Sequence, residues 1–211
     1  MKTHTLIDLL ARDAGPAPNL VAARRLSPAA LFGLLLSATL AVAVFGLVPE
    51  GVFATPAPWV KMAYAGALAL TAGGLAARLS KPAAPLGRLP HALAAVILTM
   101  GVAGAVSLAT APEGHRLPLV LGPSWWSCSG SVLLLALPAL AAALWALRGL
   151  APIRLRAAGF AAGLFAGSLG AFGYALSCPE PSVAFVAVWY SIGIAATGLL
   201  GASLGSRVLR W

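Results

Sequence analysis

Two thiols carry most of the chemistry this chain could perform. Its only cysteines are Cys128 and Cys178, and a thiol can act as a nucleophile, a soft metal ligand or half of a disulfide. Cys128 lies in Ser124-Trp125-Trp126-Ser127-Cys128-Ser129, where a helix is expected to begin. Free backbone N–H groups and the helix dipole at such a start favour the thiolate. Cys178 is followed by Pro179 and Glu180, and a neighbouring carboxylate opposes ionisation. The pair is therefore expected to be asymmetric, with Cys128 the better nucleophile. Three readings are open: a static disulfide, a reversible redox or metal-sensing pair, or two unrelated buried thiols. Zinc, cadmium or copper(I) would suit soft sulfur, but Cys128, Cys178 and Glu180 alone make an incomplete site.

No other constellation competes. The three histidines, His4, His91 and His115, sit far apart in sequence, so a nucleophile, a base and an orienting group do not converge. There is no Walker loop, zincin motif or dinucleotide fingerprint. The chain reads as a non-enzyme that needs no cofactor. A carrier should show ionisable groups near the bilayer midplane. The single charge inside an apolar run is Lys61, close enough to a boundary for its ammonium to be expected to snorkel to the headgroups. Pro138, in the middle of another run, predicts a kink. A small transporter or channel with the cysteines at its mouth is the alternative reading.

These thiols must be positioned by apolar helices. Hydrophobic residues make up 60% of the 211 positions and charged residues 9%, with mean hydropathy +0.93. Soluble domains carry about 25% charged residues, so a water-facing surface cannot be covered and the lipid bilayer is the expected solvent. The net charge of +9 does not point to nucleic acid, because the arginines fall in small groups between apolar runs, the pattern of topology signals. Six runs have the length that crosses about 30 Å of hydrocarbon: near 29–48, 59–79, 91–110, 128–147, 157–177 and 183–204. Residues 1–27 are mixed polar and the first run starts too late for a cleaved leader. The expected fold is all-α, a six-span bundle between a short tail (1–27) and a short C-terminus (207–211).

Orientation follows from charge. If the N-terminus is cytoplasmic, only Lys61 and Arg116 of the 14 basic residues fall outside, which is the positive-inside pattern and predicts a bacterial inner-membrane protein with both termini cytoplasmic. Glu50, Glu113 and Glu180 then lie outside, with Trp59, Trp125 and Trp126 at the interfacial belt. Cys128 and Cys178 are equally far in sequence from the inner turn at Ile153, so they reach similar depth. Gly159, Gly163 and Gly167 in the fifth run, and Gly193, Thr197, Gly201 and Gly205 in the sixth, make small-residue stripes for close helix packing, within the chain or in a homodimer. In the tail, Leu6, Ile7, Leu9 and Leu10 form an apolar helical face edged by Asp8. That face suits either the membrane surface or a groove on a cytoplasmic partner.

With these residues in view, the sequence resembles the NrsF-type membrane anti-sigma factors. The resemblance rests on the acidic-hydrophobic head Leu6-Ile7-Asp8-Leu9-Leu10, the six spans, the outer cysteine beside the fourth span, and the closing pattern: Cys178-Pro179-Glu180, Ala184-Phe185, Val188-Trp189-Tyr190, Gly201, Gly205, Arg207 and Leu209-Arg210-Trp211. It implies an inner face that holds an extracytoplasmic-function sigma factor through residues 6–10. It also implies Cys128 and Cys178 as a sensor of oxidants or metals, supported by Glu180, Trp125, Trp126 and Trp189. Where the family often places a histidine, before the second cysteine or after the tryptophan, this chain has Ser177 and Tyr190. That removes metal ligands and shifts the expectation toward thiol oxidation.

Overall fold

The computed structural model describes residues 3, 5, 7, 8, 21–82, 84–150 and 152–210. Among them all regular structure is helical, and six helices are long and apolar enough to span a bilayer. We number these α1 (Val21–Phe45), α2 (Pro56–Leu79), α3 (Leu89–Thr110), α4 (Trp125–Arg148), α5 (Leu155–Tyr174) and α6 (Val183–Val208). Short helices Glu50–Phe53 and Glu113–Leu121 lie in two of the connections.

The ends of the helices have local causes. α1 carries Arg24, Arg25 and Pro28 inside it, so it begins eight residues before the apolar run that flags it. It stops at Phe45 because Gly46, at φ +77°, turns left-handed and donates its N–H to the Val42 carbonyl at 2.9 Å, a glycine helix stop. α2 starts on Pro56, whose missing N–H costs nothing in the first turn. α4 continues through Pro138 as one helix. α6 opens at Ser182, whose hydroxyl accepts from the Phe185 N–H, and includes a π-helical turn over Val186–Tyr190.

α5 is the centre of the bundle. It packs against α6, α2, α4 and α1, and 72% of its span is buried against 11% for α3. Thus α3 faces outward with Ile97, Leu98, Val102 and Val106 exposed. Glycine makes the central position possible. A Cβ at Gly159 would meet the Gly201 carbonyl, and one at Gly163 the Thr197 carbonyl, while one at Gly170 would stand 2.9 Å from the Ala136 Cβ. In lipid, where burial of apolar surface supplies no net drive, such backbone-to-backbone contact is a main source of association. The stripes on α5 and α6 face each other within the chain, so that surface is not free to form a homodimer.

One end of the bundle collects arginines, for example Arg24, Arg25 and Arg148 around one cleft and Arg78 and Arg154 around another. The opposite end holds both cysteines.

Candidate functional site: a closed pair of thiols

The thiol end is built from the last turn of α5, the first turns of α4 and α6, and one side chain of α2. After Tyr174 the chain tightens rather than continuing the helix: the Tyr174 carbonyl accepts from both Ser177 and Cys178 N–H groups, each at 3.0 Å. Pro179 then denies a further donor, and the turn is tied to the end of α1 by Val48 N–H to the Leu176 carbonyl, 3.1 Å. Cys178 thereby leaves the helix and turns into the bundle.

Both sulfurs are free thiols with no solvent exposure, and both belong to one buried apolar cluster with Tyr174, Tyr190 and Phe185. Lys61 and Glu180 lie within electrostatic reach of Cys128. The Tyr190 hydroxyl sits near the Cys178 thiol without reaching hydrogen-bond geometry, and it and the Ser177 hydroxyl are buried with no partner.

Lys61 corrects a sequence expectation. It does not snorkel: the residue is 1% exposed, and its ammonium donates to the Cys178 carbonyl at 2.7 Å. No carboxylate of a described residue lies in salt-bridge range of it. The turn holding one sensor candidate is thus fastened by a buried cation from α2, a contact across 117 residues that no local signal announces.

The expected asymmetry between the thiols has no geometric support. Cys128 is the fourth residue of α4, its N–H already closed on the Ser124 carbonyl at 3.0 Å. The start of that helix is occupied instead by Glu180, whose Oε1 accepts from the Ser124 N–H at 3.1 Å and the Ser124 hydroxyl at 2.9 Å. A carboxylate there is favoured by the helix dipole. Gly122, at φ +57°, makes room: a Cβ on it would stand 2.8 Å from Glu180 Oε2. Glu180 therefore bonds to α4 rather than joining the thiols as a metal ligand, and among the described residues no three metal-ligating side chains gather.

The tryptophans divide. Trp125 packs on Trp189 with ring centroids 5.5 Å apart. The Trp189 indole donates to the Val120 carbonyl at 2.9 Å, and its own carbonyl, in the π turn, accepts from Ser129 at 2.8 Å. Trp126 is 75% exposed and stands apart from this lattice. Ser182 adds a bond to the Leu119 carbonyl at 2.6 Å. Of the tail residues, Ile7 and Asp8 are helical and exposed; Leu6, Leu9 and Leu10 lie outside the described residues. Sequence reasoning missed Gly122, Ser124, Ser129 and Ser182 as parts of the site, and it placed Lys61, conspicuous as the one charge inside an apolar run, at the headgroups.

Six helices long and apolar enough to cross a bilayer, with a sealed thiol pair at one end and a cluster of arginines at the other, are the arrangement of a polytopic helical membrane protein. Comparison with known proteins gives the family. The model of the NrsF family, negative regulator of sigma F, matches residues 10–211, and the chain belongs to that family. It is 44% identical to the anti-sigma-F factor NrsF of Caulobacter vibrioides and 38% identical to the probable anti-sigma-F factor NrsF of Azospira oryzae, in each case over 100% of both chains. No solved structure matches.

Proposed function

We propose that this protein is an inner-membrane anti-sigma factor that holds an extracytoplasmic-function sigma factor at its basic, cytoplasmic face and releases it when the outer thiols are modified. Membership of the NrsF family supports the regulatory class and favours it over a transporter. The observation that carries the sensing step is the enclosure of two free thiols, Cys128 and Cys178, at the end of the bundle opposite the clefts lined by Arg24, Arg25, Arg78, Arg148 and Arg154.

Because neither sulfur is exposed, sensing requires opening. The Lys61–Cys178, Glu180–Ser124, Ser182–Leu119 and Trp189–Val120 bonds are the latches that set the cost of opening. Once open, a peroxide oxidises one thiol to a sulfenic acid, its O–O bond breaking with release of water or an alcohol. The second thiol attacks that sulfur, expelling water and forming the disulfide. A soft heavy metal or an alkylating agent would trap the same open state by bonding sulfur directly. The buried Tyr190 and Ser177 hydroxyls, each unpaired at a cost of about 1–3 kcal/mol, favour a rearranged state in which they find partners. Residues 6–10 of the tail are the proposed grip on the sigma factor.

The test is co-purification of the cytoplasmic partner from cells before and after peroxide, using wild type, Cys128→Ser and Cys178→Ser. Retention by all three before stress, with release only from wild type, is the expected result. Recovery of no sigma factor under any condition would remove the anti-sigma reading. Release from both serine variants would remove the cysteine sensor alone.

A further inference from the structure

A cleft at the basic end has the chemistry of a lipid site. Helices α1 and α4 touch where Gly33 lies against Ala139. Between that contact and their arginine-bearing ends they leave a cavity of about 720 Å³, within the range of about 300–1,000 Å³ common to small-ligand sites. Arg24, Arg25 and Arg148 line it, and Phe32, Trp145 and Ala142 contribute apolar wall. All three arginines are exposed, and none makes an ion pair or hydrogen bond with any described residue. The Arg25 guanidinium rests against Gly149, where a Cβ would collide with it.

The two halves of the cleft ask for different things. Guanidinium groups present planar donor forks that match phosphate oxygens. The walls run on into the spanning parts of α1 and α4, with Phe32 54% and Trp145 80% exposed, so they face the acyl region. A free phosphate would satisfy the rim and leave the walls unused, whereas a neutral lipid would do the opposite. Basic pockets between spanning helices near the cytoplasmic surface bind anionic headgroups for this reason.

We propose that the α1–α4 cleft is a binding site for an anionic glycerophospholipid, its phosphate held by Arg24, Arg25 and Arg148 and one acyl chain laid along Phe32 and Trp145. The inference does not depend on sigma-factor binding or on the thiols.

The test uses the full chain in detergent micelles, with lipid binding followed by native mass spectrometry. Palmitoyl-oleoyl phosphatidylglycerol should bind about tenfold more tightly than the matching phosphatidylcholine, which carries the same phosphate together with an ammonium that the three arginines repel. The R24Q/R25Q/R148Q variant should lose that preference, and R78Q, at the other basic cleft, should keep it. Gly149→Ala retains every charge but displaces Arg25, so it should weaken phosphatidylglycerol binding and shrink its advantage over phosphatidylcholine. The thermal midpoint of each variant confirms folding independently of lipid. Equal binding of the two lipids by wild type, or an equal loss in R78Q, overturns the site. Displacement of phosphatidylglycerol by millimolar inorganic phosphate would show a headgroup-only anion site and overturn the lipid assignment.

Discussion

Replacing Lys61 by methionine is the sharpest perturbation of the thiol end. The side chain keeps its length and apolar stem but loses the ammonium that donates to the Cys178 carbonyl at 2.7 Å. A buried hydrogen bond from a charged donor contributes about 1.5–3 kcal/mol. Opening the 175–182 turn breaks it, so without it the open fraction should rise by about 10- to 150-fold. Two further effects have opposite signs. Methionine removes the desolvation cost of an ammonium that is 1% exposed, which steadies the closed state. It also leaves the Cys178 carbonyl unpaired, which does the reverse. The net expectation is the lower part of that range, about tenfold.

The assay is the alkylation rate of Cys178 by a small maleimide, in full-length protein with Cys128→Ser, reconstituted in lipid nanodiscs. Rates are normalised to the denatured protein. Lys61→Arg serves as a second probe, because a planar guanidinium cannot occupy the space of a compact ammonium at full burial; it should also open the turn. Labelling of Lys61→Met within twofold of wild type, with the thermal midpoint unchanged, would refute the latch. Slower labelling would show that desolvation outweighs the hydrogen bond, and that the sign assigned to Lys61 is wrong.

Three other outcomes follow from named contacts. Gly163→Val places a branched side chain against the Thr197 carbonyl and should destabilise the bundle by about 1–3 kcal/mol, seen as a lower thermal midpoint in detergent, whereas Gly101→Val, with open space around it, should not. Glu180→Ala removes both bonds to Ser124 and should cost about 1.5–3 kcal/mol, with a shift in tryptophan emission as the Trp125–Trp189 contact loosens. Deleting residues 1–14 should abolish recovery of the sigma factor in co-purification while leaving the six spans folded by circular dichroism; undiminished recovery would move the grip to the arginine loops.

Much of the fold could be read in advance because apolar length is a one-dimensional property, and six runs of it became six helices. Glycine spacing likewise marked the packing faces of α5 and α6, since small residues four apart must share a face, but it left open whether they meet within the chain or in a homodimer. Helix ends were harder. The apolar run marks where lipid begins, not where hydrogen bonding begins, so α1 carries Arg24 and Arg25 within its helix although they were read as tail. At the other end, Gly46 closes α1 before the apolar residues run out. The candidate site was legible as a pair of cysteines and no further. Lys61 was assigned to the headgroups because its distance from the boundary allowed it, yet the carbonyl it serves is 117 residues away. Trp125 and Trp126 looked equivalent as neighbours, but one helical step apart they face a ring partner and an open surface.

How a change among the thiols would reach the opposite end depends on where the chain can yield. The turn after Tyr174 is bound on three sides, by Val48, Lys61 and, through Glu180, Ser124. Beyond it α5 runs through the centre of the bundle with Gly159, Gly163 and Gly167 against backbone atoms of α6. Contacts of that kind leave no side chain to absorb a displacement by changing rotamer, so α5 and α6 respond as a unit. A disulfide between Cys128 and Cys178 would close a loop worth about 4 kcal/mol relative to an open chain, and less between two folded states. A full switch from held to released requires about 5.5 kcal/mol of differential stabilisation. The disulfide alone falls short of that. On the proposed function, the remainder must come from a closed state already weakened locally, and the two unpaired buried hydroxyls at Tyr190 and Ser177, each costing about 1–3 kcal/mol, are of the size required.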